Sequence, residues 1–232
     1  MSPTGWLALV STPIGNLEDI TLRALRTLKE ADLVAAEDTR KTRKLCTHYN
    51  IKTDLTSYHA HNEYQKTSAL LDRVEEGQQI AVVSNAGTPA VSDPGYLVVQ
   101  QALERGIEPR IIPGPSALTF AVPACGLPVD KFTFLGFPPR KQGKRRNFFR
   151  ELRGRKMTYF VLVSVHRISD VLVDAAEMLG PRTEMALLRE ATKVHEEVIR
   201  GTAEDLVRED REREEWKGEF ILAIDARTSR QG

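Results

Sequence analysis

Three loops in the first half of the chain carry residue types suited to holding a small ligand. They are Ser84-Asn85-Ala86-Gly87-Thr88-Pro89-Ala90-Val91-Ser92-Asp93-Pro94-Gly95, Ser11-Thr12-Pro13-Ile14-Gly15-Asn16 and Ile112-Pro113-Gly114-Pro115-Ser116-Ala117. Their glycines let backbone come close to a bound molecule, and their prolines fix loop shape in advance, which lowers the ordering cost of binding. The 84–95 loop holds more glycine, proline, Asn and Asp than a turn requires. The Pro13-Ile14-Gly15 loop also suits a tight strand-to-helix turn, and 112–117 a proline-started helix. No G-x-G-x-x-G follows a strand and no G-x-x-x-x-G-K-[ST] is present, so ordinary dinucleotide and P-loop readings lack a phosphate cradle. A phosphate-free ligand fits better; S-adenosylmethionine, with its sulfonium, amino-acid end and adenosine, is one.

The elements that must position these loops alternate. Strand Leu7–Val10 leads to a helix over Ile20–Lys29 with an apolar stripe of Ile20, Leu22, Leu25 and Leu28. Strand 33–36, helix 39–49, strand 55–58, helix 63–75, strand 80–83, helix 96–104 and strand 110–112 follow, and the alternation predicts a mostly parallel sheet covered by helices, with ligands at its carboxyl edge. Helix 116–124 stops at Gly126 and Pro128. The second half reads as strand 133–135, a basic helix over 144–152, strand 158–163, helix 168–179, strands 185–189 and 198–200, helix 203–209 and strand 220–224, a mixed sheet. The expected fold class is α/β with two domains, 1–125 and 126–232.

The chain has 232 residues and a net charge of +1. No run of about 20 apolar residues is present to span a membrane. Met1-Ser2-Pro3-Thr4-Gly5 lacks the basic start and apolar core of a secretory signal. Cys46 and Cys125 have no metal-like spacing and read as reduced thiols, which fits the cytoplasm. Charge is segregated: Arg140, Lys141, Lys144, Arg145, Arg146, Arg150, Arg153, Arg155 and Lys156 face one acid, Glu151, and Arg40-Lys41-Thr42-Arg43-Lys44 forms a shorter cluster. Such a run is either a solvated helix face or a surface for nucleic-acid phosphates. Phe148 and Phe149 within it read as core.

The blocks Val10–Leu17, Ala36–Arg40, Ser57–Glu63, Ser84–Gly95, Ile112–Ala117 and Phe134–Lys141, in that order over nearly the whole chain, resemble the small-subunit ribosomal RNA 2′-O-ribose methyltransferases among the tetrapyrrole-methylase-like (class III) S-adenosylmethionine enzymes. The resemblance implies two α/β domains with the methyl donor, S-adenosyl-L-methionine, in the cleft between them. It also implies a homodimer and methylation of a cytidine 2′-hydroxyl in 16S rRNA of the 30S particle. The family normally has Asp at the position of Asn85 and Glu-Ser-Pro-His-Arg at Val163–Arg167; many members carry a further small C-terminal domain, and the chain ends just after its last strand.

Methyl transfer to a hydroxyl requires in-line alignment and removal of a proton. Lys193 and Asp38 are the foremost candidates for the base, with Glu190 and His61 also in position. Asp38 serves equally as an ion pair closing a helix start, and His61 as part of a surface turn. Cofactor contacts are expected from Thr12, Pro13, Gly15, Asn85, Ala86, Gly87, Thr88, Val91, Ser92, Asp93, Ser116, Ala117, Ser164 and Leu188. RNA contacts are expected from Arg40, Arg43, Arg140, Lys141, Lys144, Arg145, Arg146 and Arg150. Two other functions stay open: methylation of a small molecule such as a tetrapyrrole, and non-catalytic RNA binding by a relative weakened at Asn85.

Overall fold

The computed structural model describes residues 5–229, so most of the N-terminal segment used for the leader argument, Met1–Thr4, lies outside the described residues. The chain forms two compact units that divide between Ser116 and Ala117.

The first unit alternates strand and helix: β1 (Trp6–Val10), α1 (Leu22–Glu30), β2 (Leu33–Ala36), α2 (Thr39–His48), β3 (Asp54–Ser57), α3 (Glu63–Glu75), β4 (Gln79–Val83), α4 (Tyr96–Glu104) and β5 (Arg110–Ile112). The five strands lie in the order β3-β2-β4-β1-β5, every pair parallel. Every residue of β1 and β2 is buried, because apolar side chains of successive residues enter cores on opposite faces. Ala8, Val34 and Ala81 pack with Ala24 and Leu28 of α1 and with Leu45 and Cys46 of α2. Leu7, Ala35 and Val82 pack on the other face with Leu70 and Leu71 of α3 and Val98 of α4. Helix α1 starts later than its apolar pattern suggests, since the Thr21 hydroxyl accepts from Ala24 N–H and caps the first turn. Leu22 is therefore 87% exposed rather than part of the buried stripe, and Ala24, Thr27 and Leu28 fill that face.

The second unit contains α5 (Ala117–Ala124), β6 (Phe132–Phe134), α6 (Gln142–Leu152), β7 (Thr158–Ser164), α7 (Ile168–Leu179), β8 (Glu184–Arg189), β9 (Glu197–Thr202), α8 (Ala203–Glu212) and β10 (Glu219–Asp225). Its sheet runs β6-β7-β10-β8-β9; β6 and β7 are parallel and the remaining pairs antiparallel, the mixed sheet expected. Helices α6, α7 and α8 cover one face, around Phe149, Leu172 and Leu206. Phe149 is fully buried and Phe148 packs against the same cluster, as the core reading of both requires.

Helix α5 covers the other face through Ala121 and Cys125, packed on Phe160, Leu188 and Ile221. Its last carbonyls, Ala124 and Cys125, accept from the Arg200 guanidinium of β9. These contacts place α5 with the second unit, so the division comes ahead of the 125/126 boundary expected from the Gly126 and Pro128 stop signals. A stop signal ends a helix; which sheet that helix packs on is settled by its apolar face.

Candidate functional site

The strand order of the first unit creates a switch point between β1 and β4. The chain leaves β1 for α1 on one face of the sheet and leaves β4 for α4 on the opposite face, a topology that opens a crevice at the carboxyl edge. The loops after β1 and β4 meet there in a two-residue bridge: Thr12 N–H donates to Gly87 O and Gly87 N–H to Thr12 O, both at 2.9 Å. The Ser11 and Thr88 hydroxyls pair at 3.0 Å. The loop after β5 joins through Thr88 Oγ1, which donates to Pro115 O at 3.4 Å, and through Ser11 N–H to Ile112 O at 3.1 Å. The three loops picked out by composition thus converge at one edge.

Glycine is needed where they touch. A Cβ on Gly114 would stand 3.0 Å from Ser11 Cβ, and Gly87 has φ +77° with Ile14 Cγ2 in contact range of any Cβ. Beyond the bridge, Ala90 and Ser92 have φ of +69° and +63°, and Ala90 N–H donates to Pro94 O at 3.1 Å. Two non-glycine residues in left-handed geometry cost about 1–3 kcal/mol each, strain typical of ligand loops.

At the edge itself, Asn85 N–H donates to Glu37 Oε2 at 3.1 Å, joining the exit of β4 to that of β2. Asn85 Oδ1 is buried and has no hydrogen-bond partner among the described residues. A buried acceptor left unpaired costs about 1–3 kcal/mol, so this carbonyl is fit to receive a donor from a bound molecule. Ammonium and ribose hydroxyl groups are such donors.

One strand further out, the turn after β3 holds a second orphan. Asn62 Oδ1 accepts His59 N–H at 2.8 Å, which orients the amide so that its Nδ2 faces His59 Nε2 at 3.2 Å. Nε2 therefore accepts and the ring proton sits on Nδ1, which is buried and unpartnered among the described residues. Lys66 Nζ spends its donors on Thr56 Oγ1, Ser57 O and Ser57 Oγ, locking this turn. His61 lies beside it, ring centroids 6.0 Å from His59.

Three of the candidates for the base, Asp38, Glu190 and Lys193, are tied into ion pairs. Asp38 caps α2 through Arg40 N–H at 2.9 Å and takes the Arg40 guanidinium at 3.0 and 2.8 Å. That hydrogen bonding to Arg40 keeps its carboxyl far below the usual range and makes it a poor proton acceptor, so the ion pair closing a helix start is what the structure contains. In the second unit, Lys193 Nζ bridges Glu190 Oε1 at 2.8 Å and Glu219 Oε2 at 3.0 Å. Burial would lower the pKa of Lys193, but the two carboxylates outweigh it and raise it. Burial would raise the Glu190 carboxyl, but its bonds to Lys193 and to the backbone of Glu219 outweigh that and lower it. Lys193 in this arrangement is held as a cation between two carboxylates, which argues against its role as a base.

The carboxyl ends of β6, β7 and β8 share one edge of the second sheet. Ser164 pairs with Glu219 there, and Phe220 with Arg189. Leu188, expected at the cofactor, is buried under α5 with its backbone taken by β9 and β10. Arg145, expected at RNA, is only 2% exposed; its guanidinium binds Asp174 at 2.7 Å and Asp170 at 3.2 Å. Arg146 is drawn to Glu177, and Arg150 donates to Asn147. This corrects the expectation that Arg145 contacts RNA: Arg145, Phe149 and Leu152 share the buried stripe of α6, a spacing of four then three that the sequence displays. Arg140, Lys141 and Lys144 are exposed.

A family model described as tetrapyrrole (corrin/porphyrin) methylases matches residues 7–207. Ribosomal RNA small subunit methyltransferase I of Halalkalibacterium halodurans is 49% identical over 221 residues, 95% of this chain and 76% of that one. The protein of the same name from Thermotoga maritima is 44% identical over 88% of this chain and 90% of its own length. Among solved structures, uroporphyrin-III-C-methyltransferase from Thermus thermophilus aligns at a TM-score of 0.67 with 22% identity, covering 97% of this chain and 96% of that one. A diphthine synthase aligns at 0.71 with 16% identity over 97% and 91%. These two likenesses show the fold.

Proposed function

The chain belongs to the tetrapyrrole methylase family and, within it, to the ribosomal RNA small subunit methyltransferases I, and from that membership we propose that it transfers a methyl group from S-adenosyl-L-methionine to the 2′-hydroxyl of a cytidine in 16S rRNA of the 30S particle. The observation that carries the cofactor reading is the buried Asn85 Oδ1, without a partner among the described residues, at the crevice edge beside the Glu37 carboxylate. These two acceptors suit the ammonium or ribose hydroxyls of the methyl donor, and the Thr12–Gly87 bridge holds the loops that would enclose it. Bound there, the donor supplies an electrophilic methyl on a sulfonium that leaves as a neutral thioether.

The protein's part is alignment and exclusion of water. Asn85 Oδ1 and Glu37 fix one end of the donor, and loops that pack tightly at Gly114 and turn through positive φ at Gly87 fit closely around it. With Asp38 and Lys193 tied into ion pairs, His61 is the candidate for proton removal outside any ion pair among the described residues. The exposed Arg40, Arg43, Arg140, Lys141 and Lys144, with Arg146 and Arg150, supply charge for the phosphates of the RNA. We place the reaction in the cytoplasm, supported by two buried free thiols, and the active form as a homodimer. No helix among the described residues is long and apolar enough to cross a membrane.

The test is transfer of labelled methyl to 30S particles, with uroporphyrinogen as the competing acceptor. Label in 16S rRNA alone is the expected result; label in the tetrapyrrole alone would refute the assignment. In calorimetry, Asn85→Ala should weaken S-adenosylmethionine binding about tenfold, for one hydrogen bond of about 0.5–1.5 kcal/mol and the contacts around it. Unaltered affinity would remove Asn85 from the site, and no heat from the native protein at millimolar ligand would leave the chain a non-catalytic RNA-binding relative.

A further inference from the structure

Just ahead of the basic run stands an aromatic side chain that the core does not use. Phe137 is 60% exposed, whereas Phe148 and Phe149, eleven and twelve residues on, pack inward. It stands in Gly136-Phe137-Pro138-Pro139, in the middle of residues 131–150, a stretch with no acidic residue at all. A large exposed ring followed at once by the exposed cations Arg140, Lys141 and Lys144 is unlike the scattered apolar residues of an ordinary surface.

The loop is also held in place. Leu162 N–H of β7 donates to Gly136 O at 2.9 Å, extending the β6–β7 pairing, and Gly136 turns the chain with φ +62°. At the other end the Arg140 carbonyl accepts two guanidinium bonds, from Arg145 at 3.2 Å and from Arg167 at 2.6 Å. Arg145 is itself fixed by Asp174, so the buried arginine anchors the backbone at Arg140. Two prolines stiffen the span between these anchors. The Arg140 side chain, Lys141 and Lys144 remain exposed directly after it.

We infer that Phe137 is a stacking platform for one unpaired base of the RNA substrate, with Arg140, Lys141 and Lys144 on the flanking phosphates. The inference rests on the rRNA reading above. Fixed aromatic rings beside cationic side chains are how single-stranded RNA is gripped: the ring takes a base face, and the cations take the backbone. A ring on a pinned loop loses little entropy on stacking, so most of the contact energy appears as affinity. The two kinds of contact separate by salt, because stacking releases no counterions and phosphate contacts do.

Binding of native protein and variants to 30S particles, measured over a range of salt, tests this. Phe137→Ala should weaken binding about five- to a hundredfold, the effect of losing one stacked base, with the slope against salt unchanged and KM raised more than kcat falls. Phe137→Leu should behave like the alanine variant although it stays apolar, and Phe137→Trp should restore affinity. The new indole should also be quenched by RNA, read above the two native tryptophans. Lys141→Gln with Lys144→Gln should instead flatten the slope, by roughly one counterion per lost contact. Phe137→Ala with native affinity, while the lysine variant loses slope, overturns the stacking role and leaves the rRNA reading intact. If the native protein binds no rRNA, both fall. A change of oligomeric state in Phe137→Ala by light scattering would assign the ring to contact between copies and overturn the inference.

Discussion

The two sheet edges are built differently. At the first, loops after β1, β4 and β5 are held by backbone bonds and hydroxyls: the Thr12–Gly87 bridge, the Ser11–Thr88 pair and Thr88 to Pro115. At the second, the corresponding loops are held by charge. The 189–197 segment relies on Lys193 between Glu190 and Glu219 and on Arg189 with Glu197, and the 136–140 loop relies on Arg145 and Arg167. Neutral, short-range bonds join these three loops, and the Glu37 carboxylate on Asn85 N–H adds one charged acceptor beside them. Ion pairs fix shape through charge, which dissolved ions screen. The difference predicts that salt loosens the second edge and spares the first.

The largest effect should come from the most buried ion pair. Arg145→Ala leaves Asp174, 2% exposed, with only the more distant Arg146 guanidinium at 3.9 Å, and breaking such a buried pair costs up to about 3–5 kcal/mol. Thermal melts should show the second unit destabilised by that order. A double variant, Arg145→Met with Asp174→Leu, should recover most of it, since apolar replacement removes the stranded charge. If the single variant melts like the native protein, the pair is not what holds α6 to α7.

Next comes backbone closeness at the first edge. Gly114→Ala would press a methyl to 3.0 Å from Ser11 Cβ, so Ser11 would have to give by a few tenths of an ångström. Overpacking of this kind costs about 1–3 kcal/mol, and calorimetry should show a weaker methyl donor at every salt concentration. Native affinity in this variant would show that the crevice has room to spare, contrary to a close fit.

How far the sequence foretells these edges depends on which residues carry the signal. Helices 63–75, 96–104 and 168–179 begin and end where their apolar periods and flanking glycines say, because those signals are local. The convergence of the three Gly/Pro loops is also legible, since a parallel alternation puts every such loop at one edge. Arg145 is misleading because a run of like charges suggests solvent, whereas its four-residue spacing from Phe149 and the Asp170/Asp174 pair on α7 point inward. Leu22 misleads because a capping threonine outranks an apolar stripe. The tie between Glu37 and Asn85 joins residues 48 positions apart and has no local signature. Asp38 and Lys193 show the same limit: their types suit a base, but only their partners reveal that both are committed as ions.

The smallest effect separates those two roles for Lys193. Its side chain is 27% exposed, and a pair of that exposure contributes about 0.2–1 kcal/mol. The carboxyl of Glu190 is lowered from its ordinary 4.5, so its share of the stability is present above that value and disappears as pH falls through the lowered one. Lys193 is raised from 10.5, so its share is present below that value and disappears only as pH rises past the raised one. Urea melts of native protein and Lys193→Ala should therefore differ by a constant small amount across the neutral range and converge in acid. Lys193→Arg keeps the charge but cannot give up its proton. As a fixed cation the residue should tolerate that change, with methyl transfer near the native rate and the same pH profile. A collapse of kcat in Lys193→Arg, with its melt unchanged, would restore Lys193 as the base and make the second edge chemical as well as electrostatic.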